Sequence, residues 1–527
     1  MSERSPDSCA ATAATIGALL ERACTAAPHA TFLVTETASY SYHQVSARTE
    51  STAAALAAAG VGRGERVVVK LTNSAEFLIL FFATARLGAI FAPVNPACTP
   101  PELAGIVRQS KARLVVFEDV SPVDREAVAS ADVANVALAE LARLTAPSQA
   151  TIGAAAQPQD TALLISTSGS TSAPKLVAHS QASTVLGAEG FPAWLGLNGS
   201  DRLMTALPFF HSNALVYSTL GTMALGASIV VLKRFSASRF WDQTREFGAT
   251  QFNLMGSMGE ILMRRPELPN DADNPIRICY SAWSPPEPRF RAFERRFGLD
   301  MLVGYGLSES FYGTVWPLGE PKPFGTIGHL RQHPALGEIN QARVVDEQGQ
   351  AVGVGEAGTL LLRNPAIMQG YFGMDDASAA VIKDGWLNTG DIVRAEVSGV
   401  FTFVGRSKDI IRRSGENFAP IELEEALDAH PAVRMSAVVP VKSTLADDDA
   451  KAFVILESQA DVTARELLEW CRERVARFKL PRYIEFVEEL PTTHTTRVAK
   501  GSLSRERNSA EHDVEEFRRA ASSVPQR

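Results

Sequence analysis

From about residue 40 to 120 the chain alternates between two hydrophobic rhythms. An Ala-rich segment running to Ala59 has helical spacing, RVVVKL is a continuous apolar run of strand length, and about Asn73 to Leu87 returns to helical spacing. AIFAPV is again strand-like, a helix follows Pro100, and ARLVVFED closes the series. Such alternation predicts βαβ units, parallel strands whose faces are covered by helices. It recurs from 200 to 305, where SIVVL and QFNLM are candidate strands on either side of a helix near Phe240 to Phe247.

After about residue 337 the texture changes to short β-rich runs, QARVV, GTLLLR and GVFTFVG, separated by turns such as Asp-Glu-Gln-Gly. That predicts a smaller antiparallel or barrel-like subdomain. Beyond Gly405 a basic, polar stretch leads into the helix IELEEALDAH, where Pro420 fits the first turn because its missing N–H costs nothing there. The last twenty residues are charged and read as a mobile tail. A chain of 527 residues also exceeds what one core supports. The expected fold class is therefore α/β, with a large N-terminal domain of two βαβ-type subdomains plus a β-barrel-like subdomain, and a small α+β C-terminal domain.

The longest uncharged stretch, Leu215 to Leu232, approaches a membrane span in length, but Gly221 and Gly226 interrupt it and SIVVL is β-rich. A buried helix followed by a buried strand is the reading, and no membrane anchor is expected. The N-terminus lacks the apolar core and positive flank of a signal peptide and reads as a short tail before an amphipathic helix. A net charge of -8 with no basic block argues against a nucleic-acid partner. Cys9, Cys24, Cys98, Cys279 and Cys471 are scattered, odd in number and without metal-ligand spacing, which points to reduced thiols and a cytoplasmic setting.

Candidate chemistry begins at 163–177, LLISTSGSTSAPKLV, an apolar strand entering a Ser/Thr/Gly turn and a lone lysine. Backbone N–H groups of Ser168, Gly169 and their neighbours, with the hydroxyls of Thr167, Ser168, Ser170 and Thr171, suit phosphate oxygens, and Lys175 adds a point charge. A Walker A loop is excluded, since Pro174 stands where glycine is needed and Leu176 where a hydroxyl is needed. GVGEAG at 353–358 matches a dinucleotide fingerprint by letters, but the strand-like GTLLLR follows it where a helix is required, so it reads as a turn.

Four segments together resemble the adenylate-forming superfamily of acyl-CoA synthetases, adenylation domains and luciferases: TSGSTSAPK at 167–175, GYGLSES at 304–310, GWLNTGD at 385–391 and GRSKDIIRRSGENFAPIELE at 405–424. The stretch 235–250 looks closest to crotonobetaine and carnitine CoA ligases. The resemblance implies ATP, Mg2+ and coenzyme A as co-reactants. It implies Tyr305, beside Gly306, stacking on adenine, Ser308 on phosphate, Glu309 on magnesium, Asp391 accepting from the ribose hydroxyls and Arg406 nearby. Ser281, Ala282 and Trp283 would border adenine and substrate, while His211, Asn213 and Gly304 would line the acid pocket. Lys408 would be the hinge between a domain of residues 1–407 and one of 408–527, and Gly415 would approach the thioester tunnel after rotation.

Three positions depart from that pattern. Ser172 replaces a glycine of the phosphate loop; HTTRVAK puts Thr496 for glycine and Arg497 for the adenylation lysine; and SAW at 281–283 replaces small residues. Either Arg497 serves directly, Lys500 reaches in, or adenylation is slow or unusual. Trp283 is a core residue by default; facing the pocket, it would restrict the substrate to small acids. The expected activity is ATP-dependent adenylation of a small carboxylic acid followed by transfer to coenzyme A. Alternatives are adenylation of a small acid or an oxyanion such as nitrite with transfer to an amine, or a non-catalytic nucleotide-binding module. Partners are then a small-molecule acid and its acceptor, with a homodimer left open.

Overall fold

The structure, a computed structural model, describes residues 13–119, 121–129, 133–141, 143, 156–167, 175–409, 411–413, 416–443, 448–458, 460–492 and 498–514. Segments 168–174, Gly415, Arg497 and residues 1–12 and 515–527 lie outside them; within the last twenty residues, expected to be a mobile tail, Glu511–Asp513 instead pairs as a strand with Tyr483–Phe486.

Two large sheets confirm the predicted α/β alternation. In a seven-stranded sheet, Arg66–Lys70 pairs in parallel with Ile90–Pro93 and Leu114–Phe117, and Ile90–Pro93 pairs with Thr161–Thr167. Val67, Val68 and Val69 are all buried, so both faces of the strand are covered and its sequence is a continuous apolar run. The helix Ala75–Arg86 covers one face and starts where the Ser74 hydroxyl accepts from the Phe77 N–H. Thr161–Thr167 then forms an antiparallel pair with Lys175–Ser180, Thr167 opposite Lys175. The ladder thus holds the two ends of the predicted phosphate turn side by side.

A nine-stranded sheet, parallel through its centre, contains Ser228–Val231, Gln251–Leu254, Ile278–Ser281 and Asp300–Leu307. The predicted helix between SIVVL and QFNLM spans Phe240–Phe247. The uncharged stretch forms a π-helix at Asn213–Leu220, an α-helix at Gly221–Leu225 and a buried strand at Ser228–Val231. Among the described residues no helix is long and apolar enough to cross a membrane. Cys24, Cys98, Cys279 and Cys471 are free thiols.

The antiparallel region is a five-stranded sheet built on Ala357–Arg363 and Trp386–Ala395, and GVGEAG is the turn leading into the first of these. The subdomain takes the antiparallel form of that expectation: Gln341–Val345 and Phe401–Arg406 are not paired with each other among the described residues, so the sheet is open. The C-terminal part has a four-stranded sheet of its own, with the helices Pro420–Asp428 and Ala464–Arg472 packed around Leu423, Leu427, Leu467 and Leu468.

Candidate active site

The GYGLSES segment folds as the end of the strand Asp300–Leu307, a two-residue turn and the start of the strand Ser310–Val315. Leu307 pairs with Ser310, leaving Ser308 and Glu309 at the tip. Three contacts fix that tip. The Ser308 carbonyl accepts from Nε2 of His179 at 2.7 Å, the Glu309 carbonyl accepts from the Met368 N–H at 2.8 Å, and Oε1 of Glu309 accepts from the Tyr371 hydroxyl at 3.0 Å.

Tyr371 also carries Lys175. The short strand Gly370–Tyr371 pairs antiparallel with Lys175–Ser180, and the Lys175 ammonium lies 4.3 Å from the centroid of the Tyr371 ring. Burial, reinforced by the Glu309 charge, raises the Tyr371 phenol, so it stays a donor at neutral pH. Burial pulls the His179 imidazole down to about 4, so it is neutral. A carbonyl only accepts, which puts the His179 proton on Nε2. Its ring stacks on Phe311 at 3.9 Å. Lys175 and His179, four apart on one strand, share a face and link the lysine to the Glu309 turn.

On the other side of Tyr305 is a second polar group. The Tyr305 hydroxyl donates to Oδ2 of Asp391 at 2.6 Å, and Arg406, directly across the antiparallel ladder, brings Nε within 3.1 Å of Oδ1. Asp391 is 1% exposed, so the carboxylate is rigidly held, whereas 44% of the Arg406 side chain faces solvent. Burial, with the Asp391 charge next, keeps the Tyr305 phenol protonated. Gly313 must be glycine, because a Cβ there would come within 2.2 Å of the Tyr305 carbonyl oxygen.

The remaining predicted residues are spread around this centre. Asn213 opens the π-helix, and its Oδ1 accepts from Nδ2 of Asn253 at 2.6 Å. The His211 ring lies 4.3 Å from that of Phe210. Ser281 ends a parallel strand, its Oγ accepts from the Trp283 N–H at 2.9 Å, and Ala282 is exposed. Carboxyl ends of parallel strands are where α/β sheets bind ligands. The Trp283 indole packs over Gly259, where a Cβ would meet it at 2.5 Å, and against Phe293 at 5.5 Å. The indole is therefore packed as a core group, the default for a buried tryptophan. Lys408 lies in the 3-10 turn Ser407–Asp409, directly after the strand carrying Arg406. Lys500 does not join the centre: its ammonium pairs with Glu424 of the C-terminal part at 2.6 Å.

The AMP-binding enzyme family matches residues 20–372, and the AMP-binding enzyme C-terminal domain matches 422–497. The chain belongs to the AMP-binding enzyme family. It is 28% identical over 488 residues to the crotonobetaine/carnitine–CoA ligase of Salmonella enteritidis PT4 (strain P125109), covering 88% of this chain and 93% of the relative. To the ligase of that name from Escherichia coli (strain ATCC 8739) it is 29% identical over 504 residues, 90% and 96% of the two chains. Among solved structures it is similar to ATP-bound MatB from Rhodopseudomonas palustris, with a TM-score of 0.84, 26% identity and coverage of 92% and 97%. The anthranilate CoA ligase AuaEII in complex with anthranoyl-AMP gives 0.83, 26%, 92% and 96%. The protein is an AMP-forming acid ligase.

For an AMP-binding enzyme, the sequence motifs pointed to the turn and to Asp391 but missed what supports them. Nothing in the sequence singles out Tyr371, which reaches Glu309 through strand pairing 62 positions away in the chain. For His179 a faint signal exists in KLVAH, where alternate residues share a face. Glu309 fits a magnesium ion: among the described residues no cation lies within ion-pair distance of its carboxylate, which supplies the hard oxygen that Mg2+ prefers. The described residues contain no cluster of three or more His, Cys, Asp or Glu that could hold a metal. A one-carboxylate site shared with substrate phosphates is consistent with that.

Proposed function

We propose that the protein activates a small carboxylic acid with ATP and transfers the acyl group to coenzyme A. An oxygen of the carboxylate bonds to the α-phosphorus as the bond to the bridging oxygen breaks, and the electron pair leaves with pyrophosphate. Two anions must meet, so the protein's work is to position and neutralise charge. Lys175 supplies a fixed cation at the foot of the serine-rich turn. Glu309 would hold magnesium, which when bound neutralises phosphate charge. Asp391 accepts from the ribose hydroxyls, Tyr305 offers its ring to adenine, and Arg406 adds a cation on the exposed side.

Residues 408–527 would turn about Lys408 between the two half-reactions, bringing Gly415 toward the thioester tunnel, with Arg497 or Lys500 serving in the adenylating arrangement. For Lys500 that requires release from Glu424. The observation that carries this reading is the continuous linkage Lys175–Tyr371–Glu309 meeting Tyr305–Asp391–Arg406 at one hairpin. Pyrophosphate exchange across a panel of acids, followed by a search for acyl-CoA when the thiol is added, tests it. Acid-dependent exchange with thioester formation is expected. Exchange without thioester would remove coenzyme A from the reading, and ATP binding without exchange would remove catalysis.

A further inference from the structure

A buried arginine stands beside this site and, among the described residues, no acid balances it. Arg331 is 1% exposed. Its Nε donates to the Thr314 carbonyl at 2.9 Å, one terminal nitrogen donates to the Tyr217 hydroxyl at 2.9 Å, and the other donates to the Tyr280 hydroxyl. The Trp194 ring lies 4.7 Å from the guanidinium carbon. Among the described residues no carboxylate comes within ion-pair distance of it. Rings and neutral hydrogen bonds offset part of the desolvation of a buried cation, but an anion offsets far more.

Donors remain for such an anion. A guanidinium has five N–H groups and three are used here. The Tyr217 hydroxyl accepts from Arg331 and commits its one proton to the Phe311 carbonyl at 2.7 Å, so it has none left for an anion. The Tyr280 hydroxyl accepts from Arg331 and, among the described residues, has no acceptor for its own proton. Burial pushes that phenol up to about 12 against the pull of Arg331, so the proton is present at neutral pH.

This group borders the glycines that flank Tyr305. A Cβ on Gly304 would come within 2.3 Å of the Tyr280 ring, so a phenol covers the face of Gly304 where the acid was expected. A Cβ on Gly306 would sit 3.5 Å from a terminal nitrogen of Arg331 and 3.6 Å from the Tyr217 hydroxyl. Large side chains therefore occupy this face and bring a positive charge with them. The unused N–H groups of Arg331 and the Tyr280 hydroxyl offer donors that suit a small anion better than an apolar acyl chain.

We infer that the acid subsite takes a compact oxyanion, a short carboxylate such as formate or acetate or an inorganic oxyanion such as nitrite, held by the Arg331 guanidinium and the Tyr280 hydroxyl. The inference rests on the proposed adenylation at the neighbouring Glu309 turn. Calorimetric titration of the full chain with formate, acetate, nitrite, hexanoate and benzoate, without ATP, tests binding independently of chemistry. Compact anions bind at least about tenfold more tightly than hexanoate or benzoate, the size of one charge-assisted hydrogen bond. Arg331→Met removes that preference, and Tyr280→Phe, which keeps the ring and the packing, weakens compact anions about threefold.

Pyrophosphate exchange with the same panel tells acetate from nitrite as the source of the anion. Arg331→Met raises the KM for the compact anion while the KM for ATP stays within about twofold, a split that general structural damage would not give. Exchange that runs on hexanoate or benzoate as well as on acetate and nitrite overturns the compact subsite and leaves adenylation standing. Arg331-dependent binding without any exchange does the reverse. Failure of every compact anion to bind also overturns the subsite.

Discussion

Two carboxylates, one at the tip of the GYGLSES hairpin and one beside it, have opposite surroundings. Asp391 is buried, with Tyr305 on one oxygen and Arg406 on the other. Glu309 sits at a turn tip, half-buried, bonded to the Tyr371 hydroxyl, with no cation in ion-pair range among the described residues. The nearby ammonium of Lys175 lies over the Tyr371 ring instead. A neutralised, rigid carboxylate serves as a fixed hydrogen-bond acceptor, while an unneutralised one at a half-buried tip retains capacity for a hard cation. The same functional group thus has two different roles, set by the residues around it.

Changing each in turn tests that contrast. Glu309→Gln, which keeps the shape and removes the charge, should have the largest effect, lowering adenylation about 10³-fold and shifting the magnesium titration to higher concentration. Lys175→Met should cost about 10²-fold in kcat, since the cation next to the phosphate turn is lost while the strand pairing survives. Asp391→Asn should act on nucleotide binding, raising the KM for ATP about tenfold with a smaller change in kcat. If Asp391→Asn and Glu309→Gln instead change the magnesium titration equally, the division of labour is wrong. Tyr371→Phe leaves the ring under Lys175 and removes the bond to Glu309, so a loss of about three- to tenfold in kcat/KM is expected.

The mildest prediction concerns pH. His179 titrates near 4 in the folded protein against 6.5 ordinarily, so between those values the unfolded chain binds the proton that the folded chain refuses. Its contribution is complete above pH 6.5 and is lost as pH falls toward 4. Tm should drop across that window, and the drop should be shallower in His179→Gln.

Much of the fold could be read from hydrophobic rhythm, because a strand covered on both faces must be a continuous apolar run such as RVVVK, and a helix such as Phe240–Phe247 cannot share that period. Which of the two forms the antiparallel or barrel-like subdomain takes could not, since that depends on whether two distant edges meet. For the site, Glu309 and Asp391 stand in motifs whose local turns present them. Tyr371, His179 and Arg331 stand in none; they acquire meaning only when strand pairing and helix packing bring them to the hairpin. The direction of the Trp283 indole was equally hidden, because the two glycines that receive it, Gly256 and Gly259, lie on a different element.

The two carboxylate roles are tested most directly by magnesium-dependent ATP–pyrophosphate exchange in the wild type, Glu309→Gln and Asp391→Asn with an accepted acid. Exchange is expected in the wild type, near-complete loss with a shifted magnesium requirement in Glu309→Gln, and exchange restored by excess ATP in Asp391→Asn. Undiminished exchange in Glu309→Gln at low magnesium would contradict those roles.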